Sequence, residues 1–294
     1  MKQFRIGILG SENSHAHSFT SFMNQPQEDG SYLYPDCHVT LVYGYYPEEN
    51  ERLVKEFGAD KVADSIEEML GKVDAVIVCA RDGKYHLEFA KPFIEAGIPA
   101  FIDKPFTVNP EEALELIRLA KENKVPLCGG SMLKFTDAVV NAKKKVSEEK
   151  EKIIGGSITA PVVLDSEHSG FFFYSPHLAE MTLETFGYDP KSVVATKHAG
   201  GVCAIVNYEN YSVTNHFLNK QFDYSLELHT KDGIIYEPVD FAPAARIECD
   251  DFVDMLRTGH MSYSYEQLAM PVFYLNAVKE AYETKQEVSI RNLD

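Results

Sequence analysis

Two short stretches of this sequence hold residue types that can move a proton. In IPAFIDKPF an apolar run ends in Asp103, Lys104 and Pro105. A lysine at the carboxyl end of a parallel strand points into the crevice where open α/β sheets bind ligands. Burial there lowers its pKa far enough for it to give or take a proton. The plain alternative is a surface lysine paired with Asp103. In GFFFYSPHLAEM, Ser175 and Pro176 read as a helix cap and first helical residue, which puts His177 in the first turn. The helix dipole disfavours an imidazolium at that end and keeps a neutral base available. Glu180 follows one turn on, on the same face, where it can orient the ring. Tyr174 can supply a hydroxyl. The alternative for His177 is a helix-start histidine that only packs.

A third stretch, GILGSENSHAHSF at residues 7–19, has the form of a strand running into a turn and a helix. In dinucleotide-binding folds three glycines occupy such a turn: one for tightness, one for approach to the pyrophosphate, one for helix packing. Gly10 serves as the first, and Glu12 and His15 stand at the other two places. A carboxylate about 4 Å from a phosphate charge is repelled by about 4 kcal/mol at an effective dielectric of about 20. Ser11, Asn13, Ser14 and the helix N-terminus offer donors to an anion; equally, Glu12, Asn13 or Ser14 caps its own helix. The second strand ends VYGYY, with Gly44 where an acid would hold the ribose hydroxyls. No Arg or Lys follows to meet a 2′-phosphate, so NAD is favoured slightly over NADP. Tyr45 either stacks on adenine or packs. His15 and His17 form an HxH, but two rings two residues apart on a helix point about 200° away from each other. Asp165, Glu167 and His168 form a second loose cluster. No metal is expected at either, and His168 is read as a substrate contact.

The elements that must position these groups follow from pattern. FRIGIL, HVTLVYGY, DAVIVCA, IPAFID and VPLCGG are apolar strand-like runs. DAVIVCA is too uniformly apolar to be half exposed, as a central parallel strand requires. Helical stretches lie between them: PEENERLVKEFG stops at Gly58, a second runs past Phe89 and Phe93 to Gly97 with Pro92 inside, and a third is capped by Asn109 with Pro110 first. Strands alternating with helices imply right-handed crossovers and a doubly wound sheet. After CGGSMLKF the texture changes. A helix over about 135–150 leads into IIGGSITA, SVVATKH, VCAIVNY, SVTNHFL, YSLELHT and GIIYEPV, which read as a largely antiparallel sheet. Helices are expected near 177–186, 246–258 and 265–285. The fold class is therefore α/β: a Rossmann-type domain over 1–130, then an α/β domain over 131–294 with a large open sheet and the C-terminal helices.

Composition narrows the partners. The 294 residues carry 28 Lys and Arg against 45 Asp and Glu, a net charge of −17. Phosphate-rich surfaces are held by clustered cations, so nucleic acid and anionic membranes are disfavoured. The one compact basic run, Lys143–Lys145, is followed by Glu148, Glu149 and Glu151, as on a solvated helix face. No apolar run approaches the roughly 20 residues a membrane span needs, and MKQFRIGILG leads into a strand, not a signal peptide. Five widely spaced cysteines without a CxxC suggest reduced thiols and a cytoplasmic location. The second face of the C-terminal sheet is expected to join copies of the chain into a homo-oligomer.

Along nearly its whole length the chain resembles the Gfo/Idh/MocA oxidoreductases, the group of glucose–fructose oxidoreductase and inositol dehydrogenase. FIDKPF resembles the family's Glu-Lys-Pro motif, with Asp103 for Glu. In VIVCARDGKYHLEFAKPFIEAGIPAFIDKP, Cys79 and Ala80 stand for a Thr-Pro pair and His86 matches a histidine. In CGGSMLKF, Lys134 takes an arginine's place. The family's substrate motif sets an Asp four residues before a His; here Phe173 stands before His177. The resemblance implies bound NAD(P), with Cys79, Ala80, His86, Asp103 and Lys104 near it, and a sugar or polyol substrate near Lys134, His168, Phe173 and Glu180. It also implies dimers or tetramers through the second sheet. Lys104 and His177, with Tyr174, would serve hydride transfer at a carbinol. The departures at Glu12, His15, Gly44 and Phe173 leave two other readings open: a non-redox binding or regulatory protein, or an NAD-retaining lyase, epimerase or glycosidase.

Overall fold

The chain alternates strand and helix for its first 130 residues, as β1 (Phe4–Leu9), α1 (Ser14–Asn24), β2 (Cys37–Tyr43), α2 (Pro47–Phe57), β3 (Lys61–Val62), α3 (Ile66–Met69), β4 (Ala75–Val78), α4 (His86–Glu95), β5 (Ala100–Asp103), α5 (Pro110–Asn123) and β6 (Leu127–Gly130). The structure, a computed structural model, describes residues 2–293. These strands form one sheet in the order β3-β2-β1-β4-β5-β6, with parallel pairing along β3–β2–β1–β4–β5. Every residue of β4 is fully buried, as the unbroken AVIV run requires of a strand covered on both faces. β3 and α3 were not foreseen; two and four residues are too short to display a period.

The second part runs α6 (Asp137–Glu148), β7 (Ile153–Val162), α7 (Ser175–Phe186), β8 (Ser192–His198), β9 (Gly201–Asn207), β10 (Ser212–Asn219), β11 (Ser225–Thr230), β12 (Gly233–Pro238), α8 (Ala244–Thr258), α9 (Tyr265–Thr284) and β13 (Val288–Ser289). Its sheet has the order β12-β11-β7-β10-β9-β8-β13, with β7 and β10 parallel and the other printed pairs antiparallel. One face is apolar and packed: Val193, Ala204, Val206, Val213, Phe217 and Leu226 join α7 and α9 in the core. α7 is buried along its whole length. The opposite face stays exposed. Val194 and Ile205, paired across β8 and β9, are 37% and 43% accessible, whereas their neighbours Val193 and Val206 are at 0%.

The division of the chain differs from a single boundary at residue 130. One compact unit holds residues up to Thr107, Glu111–Gly129 and Ala245–Tyr265; the other holds Val108–Pro110, Gly130–Ala244 and the chain from Glu266. Helix α8, expected in the C-terminal domain, belongs to the first unit. Its Cys249, Phe252, Val253 and Met255 lie in the same apolar cluster as Ile6, Ile8, Phe19 and Phe101. Phe101 meets Phe19 of α1 at 5.1 Å and Phe252 of α8 at 6.0 Å, both edge-on. Arg257 closes the helix with a two-pronged bond to Asp36 at 2.6 and 2.9 Å, and holds that carboxyl below its ordinary range.

Candidate functional site

The turn after β1 is built for close approach. Gly10 has φ +91°, and a Cβ there would lie 2.3 Å from the backbone of Ala80, so only glycine fits. Backbone bonds fix the turn on both sides: Gly10 N–H donates to Tyr43 O (2.9 Å) and Cys79 N–H to Leu9 O (2.8 Å). The Cys79 thiol donates to Gly10 O at 3.2 Å and is pushed up by complete burial.

Glu12 neither caps α1 nor projects freely. Its Oε1 accepts the Arg81 backbone N–H at 2.8 Å, and the Arg81 guanidinium donates to Glu12 O at 2.5 Å. Arg81, which the sequence reading passed over, thus ties the loop after β4 to this turn through both its backbone and its guanidinium. The cap is Asn13, whose Oδ1 accepts the His15 N–H at 3.2 Å. Ser14 is exposed and donates to the same oxygen at 3.4 Å. At the end of β2 a side chain would be crowded: a Cβ on Gly44 would lie 3.1–3.2 Å from Asn50 Oδ1 and Ser11. There Ser11 Oγ donates to Asn50 Oδ1 at 2.6 Å, and Asn50 Nδ2 to Gly44 O at 2.8 Å, which ties the two turns together. Tyr45 packs on Tyr85 and Phe89 (5.0 and 5.2 Å) and donates its hydroxyl to Glu88.

At the third glycine's place His15 turns inward. Its Nδ1 lies 3.1 Å from Asp103 Oδ2 and 3.9 Å from Glu248 Oε2 of α8. His17 goes elsewhere, 3.4 Å from Glu49 and stacked on Phe57. Asp103 is fully buried and accepts Asn13 Nδ2 (2.9 Å) and the Lys104 backbone N–H (2.7 Å). Burial alone would push its carboxyl up; His15, then Lys104 and His86, outweigh that and hold it well below the usual carboxylate range. Lys104 is 6% accessible, so it is not the surface lysine of the plain alternative. His86 is also fully buried, with Nδ1 2.7 Å from Pro105 O and Nε2 2.8 Å from Ala80 O. Both ring nitrogens are engaged by backbone carbonyls, so His86 joins the loops after β4 and β5.

β6 ends in two glycines with distinct tasks, Gly129 in the first unit and Gly130 in the second. A Cβ on Gly129 would meet Ile102 O at 2.0 Å, and one on Gly130 the Glu180 carboxylate at 2.4 Å. The following turn of 3-10 helix, Met132–Phe135, carries Lys134, whose Nζ lies 3.2 Å from Glu180 Oε2; both side chains are buried. His177 is 6% accessible, and its Nδ1 lies 2.7 Å from Ser131 Oγ. Ser131, a residue the sequence reading did not single out, is thus a partner of the ring. Tyr174 (6.0 Å) and Tyr224 (6.2 Å) stand against the His177 ring, and Tyr174 also meets Phe173 and Phe222. α7 begins one residue earlier than its sequence suggests. Tyr174 is the cap, Ser175 is already helical, and its buried hydroxyl has no hydrogen-bond partner. His168 packs on Phe173 at 5.2 Å and lies 3.6 Å from Glu167, while Asp165 pairs with Lys220 at 2.8 Å.

The tight turn at Gly10 fits the close approach of a dinucleotide pyrophosphate. A profile of the Gfo/Idh/MocA family, described as an oxidoreductase family with an NAD-binding Rossmann fold, matches residues 4–130. An uncharacterized oxidoreductase of Streptococcus pneumoniae serotype 4 is 31% identical over 114 residues, 38% of this chain and 30% of that protein. A UDP-N-acetylglucosamine 3-dehydrogenase of Acidithiobacillus ferrooxidans is 30% identical over 104 residues, 34% of this chain and 33% of that protein. The chain thus matches about a third of the length of these curated relatives. Among solved structures, scyllo-inositol dehydrogenase from Lactobacillus casei superposes with a TM-score of 0.82 at 18% identity, covering 98% of both chains. The same enzyme with bound NAD(H) and scyllo-inositol gives 0.82 at 17%, covering 98% of this chain and 99% of that one. At that identity the likeness speaks for the fold. The segment 4–130, with the turn at Gly10 and the Asp-Lys-Pro after β5, thus matches the Gfo/Idh/MocA family model, described as an oxidoreductase family with an NAD-binding Rossmann fold.

Proposed function

We propose that this protein is an NAD-dependent dehydrogenase that interconverts a carbinol and a carbonyl on a small hydroxylated molecule: a sugar, a polyol or a derivative of one. The observation that carries the reading is the buried Lys104, set after a fully buried strand beside an ionised Asp103. When bound, the nicotinamide supplies or accepts the hydride. Gly10, Ser11, Asn13 and Arg81 hold the dinucleotide's pyrophosphate. Lys104 carries the carbinol proton. In the second unit His177 is the candidate hydrogen-bonding group toward a hydroxylated ligand, with the rings of Tyr174 and Tyr224 beside it. The relatives' names support a hydroxylated substrate: one is a UDP-N-acetylglucosamine dehydrogenase and another was solved with scyllo-inositol. We place the enzyme in the cytoplasm; no helix among the described residues is long and apolar enough to cross a membrane. The exposed sheet face around Val194 and Ile205 supports a homo-oligomer.

The test is a titration with NAD and NADH by calorimetry and nicotinamide fluorescence, followed by turnover on a panel of inositols, sugars and nucleotide sugars. Lys104→Met should lower turnover by about 10²–10⁴ with folding intact. A second reading rests on one observation: Glu12 Oε2 is buried in the turn without a hydrogen-bond partner, a poor neighbour for a phosphate. If neither dinucleotide form binds, the scaffold serves a non-redox ligand.

A further inference from the structure

We propose that Ser131 is a positioning residue that holds the His177 ring with its proton on Nε2, so that His177 meets the substrate oxygen as a hydrogen-bond donor and not as a base. The substrate part of this inference rests on the dehydrogenase reading; the proton assignment does not.

The argument is a count of donors and acceptors. Ser131 is fully buried. Its Oγ has two partners among the described residues: the Leu133 backbone N–H at 3.2 Å and His177 Nδ1 at 2.7 Å. A hydroxyl has one proton to give and lone pairs to receive. The Leu133 amide can only donate, so it takes up a lone pair. The hydroxyl proton then needs an acceptor, and Nδ1 is the one in reach. Were Nδ1 protonated, Oγ would face two donors and its own proton would be stranded in the interior, an arrangement native structures avoid. Nδ1 is therefore the bare nitrogen, and in a neutral imidazole the proton sits on Nε2.

Two further features support the assignment. His177 lies in the first turn of α7, where the exposed amide dipoles disfavour a second ring proton. The rings that stand against His177, Tyr174 and Tyr224, bring no carboxylate to Nδ1. A neutral imidazole offering Nε2–H polarises a carbonyl oxygen without giving up its proton. The proton that leaves or joins the carbinol then passes through a group other than His177.

The tautomer is read directly from the ring nitrogen shifts in the full-length, ligand-free protein labelled with 15N-histidine. His177 is identified among the 10 histidines by the signals that vanish in His177→Gln. The expected spectrum has protonated Nε2 and bare Nδ1. Ser131→Ala should move the ring toward the other tautomer or a mixture, and Ser131→Thr, which keeps the hydroxyl, should restore it. A wild-type ring protonated on Nδ1, or a tautomer unchanged in Ser131→Ala, overturns the proposal. If Ser131→Ala fails to fold, the wild-type and Ser131→Thr spectra still decide. With a substrate in hand, Ser131→Ala should lower kcat for carbonyl reduction more than it raises KM. Nε2 protonation together with no dinucleotide binding would leave the proton assignment standing and defeat the dehydrogenase reading instead.

Discussion

Neutralising Glu180 should destabilise the protein more than any surface charge change, because its partner is a buried ammonium. Lys134 Nζ and Glu180 Oε2 are 3.2 Å apart with side chains 2% and 5% accessible. Unit charges at that separation attract by about 5 kcal/mol at an effective dielectric of about 20. Most of that attraction offsets the cost of taking both charges from water, so the net value of the pair is far smaller. Removing one partner leaves the cost and deletes the attraction, and such deletions cost about 3–5 kcal/mol. Glu180→Gln and Lys134→Met are each expected to lose that much, and the double variant to lose much less than the sum. The chain has no tryptophan, so urea unfolding is followed by circular dichroism. Single variants within about 1 kcal/mol of the parent, or an additive double variant, would refute the claim that the pair is a desolvated unit.

Gly10→Ala and Gly30→Ala share a positive φ, +91° and +81°, but a Cβ on Gly30 meets nothing within 4 Å. Gly30→Ala should cost about 1–2 kcal/mol from backbone strain alone and Gly10→Ala distinctly more, with dinucleotide binding lost; equal costs by urea unfolding would contradict the contact with Ala80. Asp103 has a folded pKa below its unfolded value, so the stability it contributes is present above about pH 4 and fades as pH falls below that. Asp103→Asn should therefore flatten the acid limb of a stability–pH curve, and an unchanged limb would show that another carboxyl governs it. Arg81→Ala should weaken NAD by about 10–100-fold, the worth of a charged hydrogen bond, and Glu12→Gln should tighten it; calorimetry showing both unchanged would move the pyrophosphate away from this turn. Light scattering at micromolar concentration should find an oligomer that Ile205→Asp weakens, and a parent protein already monomeric would remove the sheet face as an interface.

What could be read from the sequence was what short-range pattern controls. The fully apolar DAVIVCA, the Pro110 helix start and the alternating strands from Ile153 onward all stand where period and punctuation put them. Lys104 was legible because its strand and turn frame it. What escaped was held together by distant partners. Glu12 and Arg81 are 69 positions apart, and Ser131 and His177 are 46 apart. Neither pair has a periodic signature, and a serine after two glycines reads as a turn. α8 was assigned to the wrong unit because its amphipathic face does not name the sheet it covers; its partner Asp36 is 221 positions away. His86 was carried over from a family pattern, while its burial and its two carbonyl partners emerge only when the loops after β4 and β5 are folded together.

The late return of α8 to the first unit bears on how the protein is made. A ribosome releases the six strands of the first sheet before anything of the second unit exists. Yet the helix that meets Phe101 and shelters His15 and Asp103 emerges only once the chain has passed Ala245. At about 5–20 residues per second, the nascent sheet spends on the order of ten seconds with that flank open. A fragment ending near residue 130 would keep this flank exposed permanently and should be retained by chaperones or aggregate. The first unit is sealed by nearly the last helix to be synthesised, so a stalled or truncated product announces itself by the apolar surface it cannot cover.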